Sequence, residues 1–318
     1  ESAEKSERFL WDIRRTISDL VSDSFLPAMV DETHASDAEF SVECVYASMT
    51  VDGLEPYREA DFPMGEFWFG SWKTGPHFVH IEDAVSGGHI YGKPIIQAEA
   101  FTQRGLRWAE DPYSMKALGD NVFARGINRF VLHVWPQQAF PGKVPGVTLF
   151  RVYGTFFSGN QTWHSLGTAW YDYIRRCQAV LQQGLPAVDV CYYLGEEIPV
   201  RSILREDLDP GLPGGYDYDC INRDALLNRA QAKDGRIVMP DGLSYRLLVL
   251  PDSQRMSPEM AAKIGSLALA GVPVIGARPN SSYSLKNSAQ ADKKVRKIVS
   301  ESWGSVQSGL APADVLKG

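Results

Sequence analysis

No run of 18 or more apolar residues occurs anywhere in the 318-residue chain, so no segment of it is expected to span a bilayer as a helix. Cysteine is scarce. The four are Cys44, Cys177, Cys191 and Cys220, and none forms a C-x-x-C pair, which argues against a zinc ribbon or a redox motif. They are expected to pack as small apolar side chains. Basic tracts are also missing. With 32 Lys and Arg against 39 Asp and Glu the net charge is −7, and no stretch could follow a phosphate backbone, so nucleic acid is not an expected partner. The chain opens on ESAEKSERFLWDIRRT, which is neither a signal peptide nor a methionine start. It ends as abruptly, so the expectation is a fragment of a longer protein. G-x-G-x-x-G, P-loop and G-x-S-x-G motifs are absent as well.

What is plentiful is aromatic: eight Trp, thirteen Tyr and fourteen Phe. Such faces suit sugar rings and apolar ligands, and equally a core. The length suggests about two domains. Phe9, Ile13, Ile17 and Leu20 recur at helical spacing over 6–22. Alternation with β-branched residues marks a strand over 39–46, and further strands are expected at 61–69, 94–101 and 129–135. Helices are expected between them at 77–90 and 112–125, the latter opened by Asp111-Pro112 as N-cap and N1, and another follows at 166–183. Runs such as IIQA and FVLHV are apolar on both faces, which favours a buried parallel sheet. Residues 1–185 therefore read as the C-terminal half of a (β/α)₈ barrel, with an open doubly wound sheet as the structural alternative. Residues 186–318 read as a second α/β domain of flavodoxin or amidotransferase-like appearance, with a structural role. Its signals are strands in PAVDVCYY, YRLLVLP and VPVIGA and a helix opened by Ser257-Pro258-Glu259.

A barrel carries its chemistry at the C-terminal strand ends. Here three successive ends give Glu66 then Trp68, Glu99 then Thr102, and His133 then Trp135. By the two-residue period Ile95, Gln97 and Glu99 share a face, with Glu99 nearest the mouth. Each residue has a plainer reading. Glu99 could pair with Arg104, Arg107 or Arg129, Glu66 could be a paired or solvated loop carboxylate, and His133 could be a core histidine bonded to backbone. Together with Trp68, Trp108, Trp135 and Trp163, two glutamates and a histidine supply what a glycosidase needs: carboxylates for an oxocarbenium-like centre and indoles for sugar contact.

PMGEFW (63–68), HIYGKPIIQAEAFT (89–102), GINRFVLHVWPQQ (126–138) and TWHSLGTAWYDYIRRCQAVLQQG (162–184) resemble family-106 glycoside hydrolases, the α-L-rhamnosidase type. YDYDCINRDALL (216–227) and MPDGLSYRLLVLP (239–251) fit the same family's next domain. The resemblance implies an inverting hydrolase that removes terminal α-L-rhamnose from glycans or glycosides, with Ca²⁺ in the active site. It makes Glu99 the general base and puts Glu66 in the calcium and active-site cluster, as catalytic residue and metal ligand. His133, Trp135, Trp163 and Trp68 are sugar-contact candidates. The general acid would lie on a strand before residue 1, so residues 1–318 alone are expected to be inactive without the N-terminal half. The resemblance also implies a secreted or periplasmic protein. The alternatives are another barrel glycosidase, retaining and β-galactosidase-like, with Glu99 as nucleophile, or a non-catalytic carbohydrate-binding protein.

Overall fold

The computed structural model describes residues 2–44, 50–69, 77–105, 108–140, 142–144, 146–149 and 153–316, with His77 by its backbone only. The chain is an α/β protein built on two parallel sheets. The first has strands β1 (Ser41–Glu43), β2 (Phe62–Trp68), β3 (Gln97–Thr102) and β4 (Arg129–Leu132), side by side in sequence order and all parallel. The second takes β5 (Val190–Tyr193), β6 (Tyr218–Ile221), β10 (Leu247–Val249) and β11 (Val274–Ile275) in the spatial order β11-β10-β5-β6. Between β6 and β10 an antiparallel trio, β7 (Gln231–Lys233), β8 (Arg236–Val238) and β9 (Ser244–Tyr245), forms a separate small sheet.

Helices α1 (Ala3–Leu20) and α2 (Leu26–Ala35) are joined by a π turn at Val21–Phe25, so the helical region outruns the 6–22 expected. Helices α3 (His77–Tyr91), α4 (Pro112–Ala124) and α5 (Thr168–Leu181) follow the strands of the first sheet. Asp111 caps α4 reciprocally with Ser114, and Pro112 stands in its first turn. Later come α6 (Arg223–Asn228), α7 (Pro258–Leu269, capped by Ser257), α8 (Ser288–Ser302) and α9 (Pro312–Val315). No described helix is long and apolar enough to cross a membrane. Val45 and Tyr46, at the end of the first expected strand, lie outside the described residues. β3 begins at Gln97 rather than at residue 94, and β4 stops at Leu132 before His133.

Parallel register decides which side chains share a face. Pairings Val42↔Pro63, Gly65↔Ala98, Ala98↔Phe130 and Ala100↔Leu132 make one row, small or apolar. Phe67, Ala98 and Ala100 in it are essentially buried and join one hydrophobic cluster with Ile81 of α3 and Met115 and Val122 of α4. The other row carries Ser41, Glu43, Met64, Glu66, Gln97 and Glu99. Helix packing thus claims the apolar row, and the polar row is turned to the opposite side. Cys44, Cys191 and Cys220 are buried and Cys177 is partly buried, all as free thiols packed with the core.

α1 is tied to the second half of the chain rather than to the first sheet. Trp11 stacks on Tyr283 at 5.4 Å and donates its indole N–H to the Glu196 carbonyl at 2.7 Å. The Arg8 guanidinium, 3% exposed, donates to the Ser282 carbonyl and to Asp292 Oδ2, both at 2.8 Å. Asp292 also accepts the Ser282 backbone N–H at 2.7 Å, and these donors hold its carboxyl below the ordinary range against the opposing effect of burial. A depressed folded-state pKa adds stability above the unfolded value of about 3.9 and loses it as pH falls through the folded value. Asp292→Asn is therefore expected to cost about 2 kcal/mol at pH 7. The gap to the parent protein should narrow as pH falls through the lowered folded value, as urea unfolding at neutral and at acid pH would measure.

Candidate active site

Glu43, Glu66 and Glu99, one from each of β1, β2 and β3, come together at the C-terminal ends of the strands. One carboxylate oxygen of each lies within 4.8 Å of the other two. Glu66 and Glu99 are direct register partners, which the two-residue period requires once the strands pair in parallel. Three like charges at this spacing repel. Burial, then the charges of Glu99 and Glu66, push the Glu43 carboxyl up to about 8.

Glu66 and Glu99 each have their own supports. Glu66 is 4% exposed. It accepts the Trp68 indole N–H at 2.9 Å and lies 3.3 Å from His80 Nδ1, in the first turn of α3. Gly65 makes that approach possible, because a Cβ there would stand 2.5 Å from the His80 carbonyl oxygen. Glu99, with a side chain 21% exposed, accepts a short hydrogen bond from Thr102 Oγ1 and lies 3.3 Å from His133 Nδ1. Thr102 Oγ1 and His133 Nδ1 are 3.0 Å apart, closing the group. No arginine pairs with Glu99 among the described residues. Arg129 lies over the Phe62 ring at 4.0 Å, Arg104 bridges to Tyr153, and Arg107 is outside the described residues.

Thr102 should face away from Glu99, three residues along a strand. A bulge corrects this: Glu66 pairs with Glu99 but Trp68 pairs with Thr102, so Phe67 alone opposes Ala100 and Phe101. The extra residue takes φ +63° at Phe101, a left-handed conformation costing about 1–2 kcal/mol for a side chain. Packing offsets it. Phe101 is 1% exposed and its ring lies 4.9 Å from Phe67, 5.4 Å from Phe130 and 5.7 Å from Trp170, a burial that contributes roughly 1.5–3 kcal/mol. The Thr155 hydroxyl holds the Phe101 carbonyl at 2.7 Å. The core therefore aims Thr102 at the site.

The tryptophans divide. Trp68 has its N–H on Glu66 and its ring edge-on to Tyr153 at 5.8 Å. Trp135 is 57% exposed and meets His164 edge-on at 5.3 Å. Trp163 donates its N–H to the Glu110 carbonyl at 2.7 Å and packs against Trp170 and Tyr171, in an aromatic cluster instead of beside the glutamates. Trp108 stacks on Phe156 at 4.5 Å.

Two residues here escaped the sequence reading. Glu43 carried a usable signal, since it follows Ser41 by two positions in an alternating strand, the rule that selects Glu99. His80 carried none, because only tertiary packing brings α3 onto β2. A cleft of about 750 Å³ lies elsewhere, at the N-terminal ends of the strands, where Ile96, His89, Asp219, Glu82 and Arg125 line it. It touches none of Glu43, Glu66 and Glu99.

The alpha-L-rhamnosidase family model of glycoside hydrolase family 106 matches residues 1–315. A protein of Formosa agariphila named "Putative beta-glucuronidase" is 36% identical over 319 residues, covering 100% of this chain and 26% of that protein. The rhamnosidase structure from Novosphingobium sp. PP1Y superposes with a TM-score of 0.88 at 28% identity, over 99% of this chain and 31% of that one. A GH42 beta-galactosidase of G. stearothermophilus shares the fold at 10% identity and a TM-score of 0.50, over 89% of this chain and 43% of that one. The chain belongs to family 106, the alpha-L-rhamnosidase family, and spans about a quarter to a third of the relatives' length.

The close approach of α3 to the site gives a direct check. Gly65→Ala is expected to destabilise the protein by about 1–3 kcal/mol, because the new methyl must push the His80 carbonyl and the first turn of α3 outward. Denaturant melts of the variant would measure it.

Proposed function

We propose that these residues form part of the catalytic site of an inverting α-L-rhamnosidase-like hydrolase acting on terminal α-L-rhamnosyl linkages. The first sheet would supply the C-terminal half of a (β/α)₈ barrel, and the second a flavodoxin-like domain. The observation that carries the reading is the row of glutamates at successive strand ends, with Glu99 oriented by Thr102 and His133 yet still reachable. In this reading Glu99 takes a proton from the water that attacks the anomeric carbon. A carboxylic acid on the other side of the sugar protonates the leaving oxygen, at roughly 6.5–9.5 Å from the base. Glu43 and Glu66 are too close to Glu99 to be that acid, which supports its placement on a strand outside these 318 residues. Trp68 holds Glu66 through its N–H, and Trp135 offers an open ring face for sugar contact.

The donor set also fits a calcium ion. It is all oxygen, as a hard cation needs, and Glu43 Oε1 is buried with no hydrogen-bond partner among the described residues. Glu66 and Glu43 would hold the metal, and a bound Ca²⁺ would offset the repulsion among the carboxylates and grip sugar hydroxyls. Glu99, engaged by Thr102 and His133, is left for the water.

The short spacing favours a second reading. A retaining enzyme sets its two carboxyl groups about 5–5.5 Å apart, with Glu99 as nucleophile. Product stereochemistry separates the two.

For the full-length protein acting on an aryl α-L-rhamnoside, Glu99→Gln is expected to lower kcat about 100- to 10,000-fold, the usual worth of one general base, because the glutamine cannot accept the proton. The first product, followed by NMR, should have inverted configuration. A retained anomer would favour the second reading, and unaltered turnover would remove Glu99 from catalysis. Chelation by EDTA should abolish turnover and lower the melting temperature, both restored by added Ca²⁺; an indifferent enzyme would exclude the metal.

A further inference from the structure

The second half of the chain reaches the end of β1, next to the glutamate site. After β5, Val200 forms an isolated parallel bridge with Asp52, and the Gly53 N–H donates to the Val200 carbonyl at 2.9 Å. The next residue, Arg201, sends its guanidinium between the two halves. Its Nε donates to Asp83 Oδ2 at 2.6 Å, and its Nη2 donates to the backbone carbonyl of Cys44, also at 2.6 Å. The Ser202 backbone N–H donates to the other Asp83 oxygen at 2.7 Å. Asp83 is fully buried in α3, so these donors are what make a carboxylate tolerable there. Gly53 leaves room for the crossing, since a Cβ would stand 2.9 Å from Arg201 Cδ.

Cys44 directly follows Glu43, the last paired residue of β1. The register of β1 with β2 ends there, and the next carbonyl is held by Arg201 in place of a strand neighbour. The Cys44 carbonyl lies in the peptide plane that follows Cys44, so holding its oxygen pins the end of β1 one residue past Glu43. α3 is the common support. His80 meets Glu66, and Asp83, one turn later, anchors the guanidinium that holds the end of β1.

We propose that Arg201 is a positioning residue of the active site: anchored on Asp83, it clamps the Cys44 carbonyl and thereby keeps Glu43 beside Glu66 and Glu99. The second domain is then a working part of the site as well as a structural one. This rests on the glutamates being the calcium and catalytic centre.

The test uses the full-length protein and compares Arg201→Ala, Arg201→Lys, Glu43→Gln and the paired variant Asp83→Asn/Arg201→Met. The pair removes the clamp without leaving a buried charge unpartnered. Calcium alone is titrated by calorimetry, and kcat and KM are measured separately. Arg201→Ala and the pair are expected to bind calcium about 10–100-fold more weakly, as loss of an outer support of a metal site does, with kcat falling further than KM rises. Arg201→Lys should recover little, because an ammonium cannot serve Asp83 and the Cys44 carbonyl with a planar fork. Millimolar guanidinium should restore affinity to Arg201→Ala. The clamp is refuted if folded Arg201→Ala and the pair bind calcium and turn over like the parent while Glu43→Gln does not, or if neither variant folds, which would make Arg201 a scaffold residue. If Glu43→Gln itself binds calcium normally, the reading of the site falls, and the clamp with it.

Discussion

The site depends on the burial of one row of the first sheet. Phe67, Ala98 and Ala100 face α3 and α4 and leave water almost completely. Because side chains alternate along a strand, this burial fixes where their neighbours go. Glu66 and Glu99 become register partners on the opposite row, and Glu43 joins them from β1. Nothing in the glutamates themselves favours this meeting; their charges oppose it. The hydrophobic packing of the alternate positions supplies the free energy that holds them together.

The same core also corrects the geometry where regular strand structure would fail. Phe101 in a left-handed conformation shifts the register by one residue and brings Thr102 round to Glu99. The strain is local and its compensation is an aromatic cluster reaching from Phe67 to Trp170. A core residue and an active-site residue are thus adjacent in sequence and coupled by geometry. Trp163 shows the converse. Its indole looks like a sugar platform in sequence, but its N–H belongs to the Glu110 carbonyl and its ring to that aromatic cluster.

The two halves of the chain are interlocked by polar contacts shielded from water. Arg8 on Asp292, the Trp11 indole N–H on the Glu196 carbonyl and Arg201 on Asp83 each cross between distant stretches of sequence. His89, in the HIYGKP motif, donates from Nδ1 to the Asp219 carboxylate of β6 at 2.8 Å, so residues of two motif stretches meet at the seam rather than at Glu43, Glu66 and Glu99. An isolated buried charge would be costly, and the pairing makes the relative placement of the two sheets specific.

Much was legible in the chain itself. Period-two alternation and β-branched runs gave the strands, Asp111-Pro112 and Ser257-Pro258 gave helix starts, and the apolar run around Glu99 marked that carboxylate as one to explain. These are local signals, carried by residues a few positions apart. The features the sequence left unread involve partners far along the chain. β6 through β9, the bulge at Phe101, the approach of His80 and the Arg201 contact all need an element whose position only packing decides. Sequence alone determined that carboxylates end successive parallel strands. Tertiary structure decided which of them meet, because register, bulge and helix approach are set by burial summed over the whole core, and no short window of residues contains that sum.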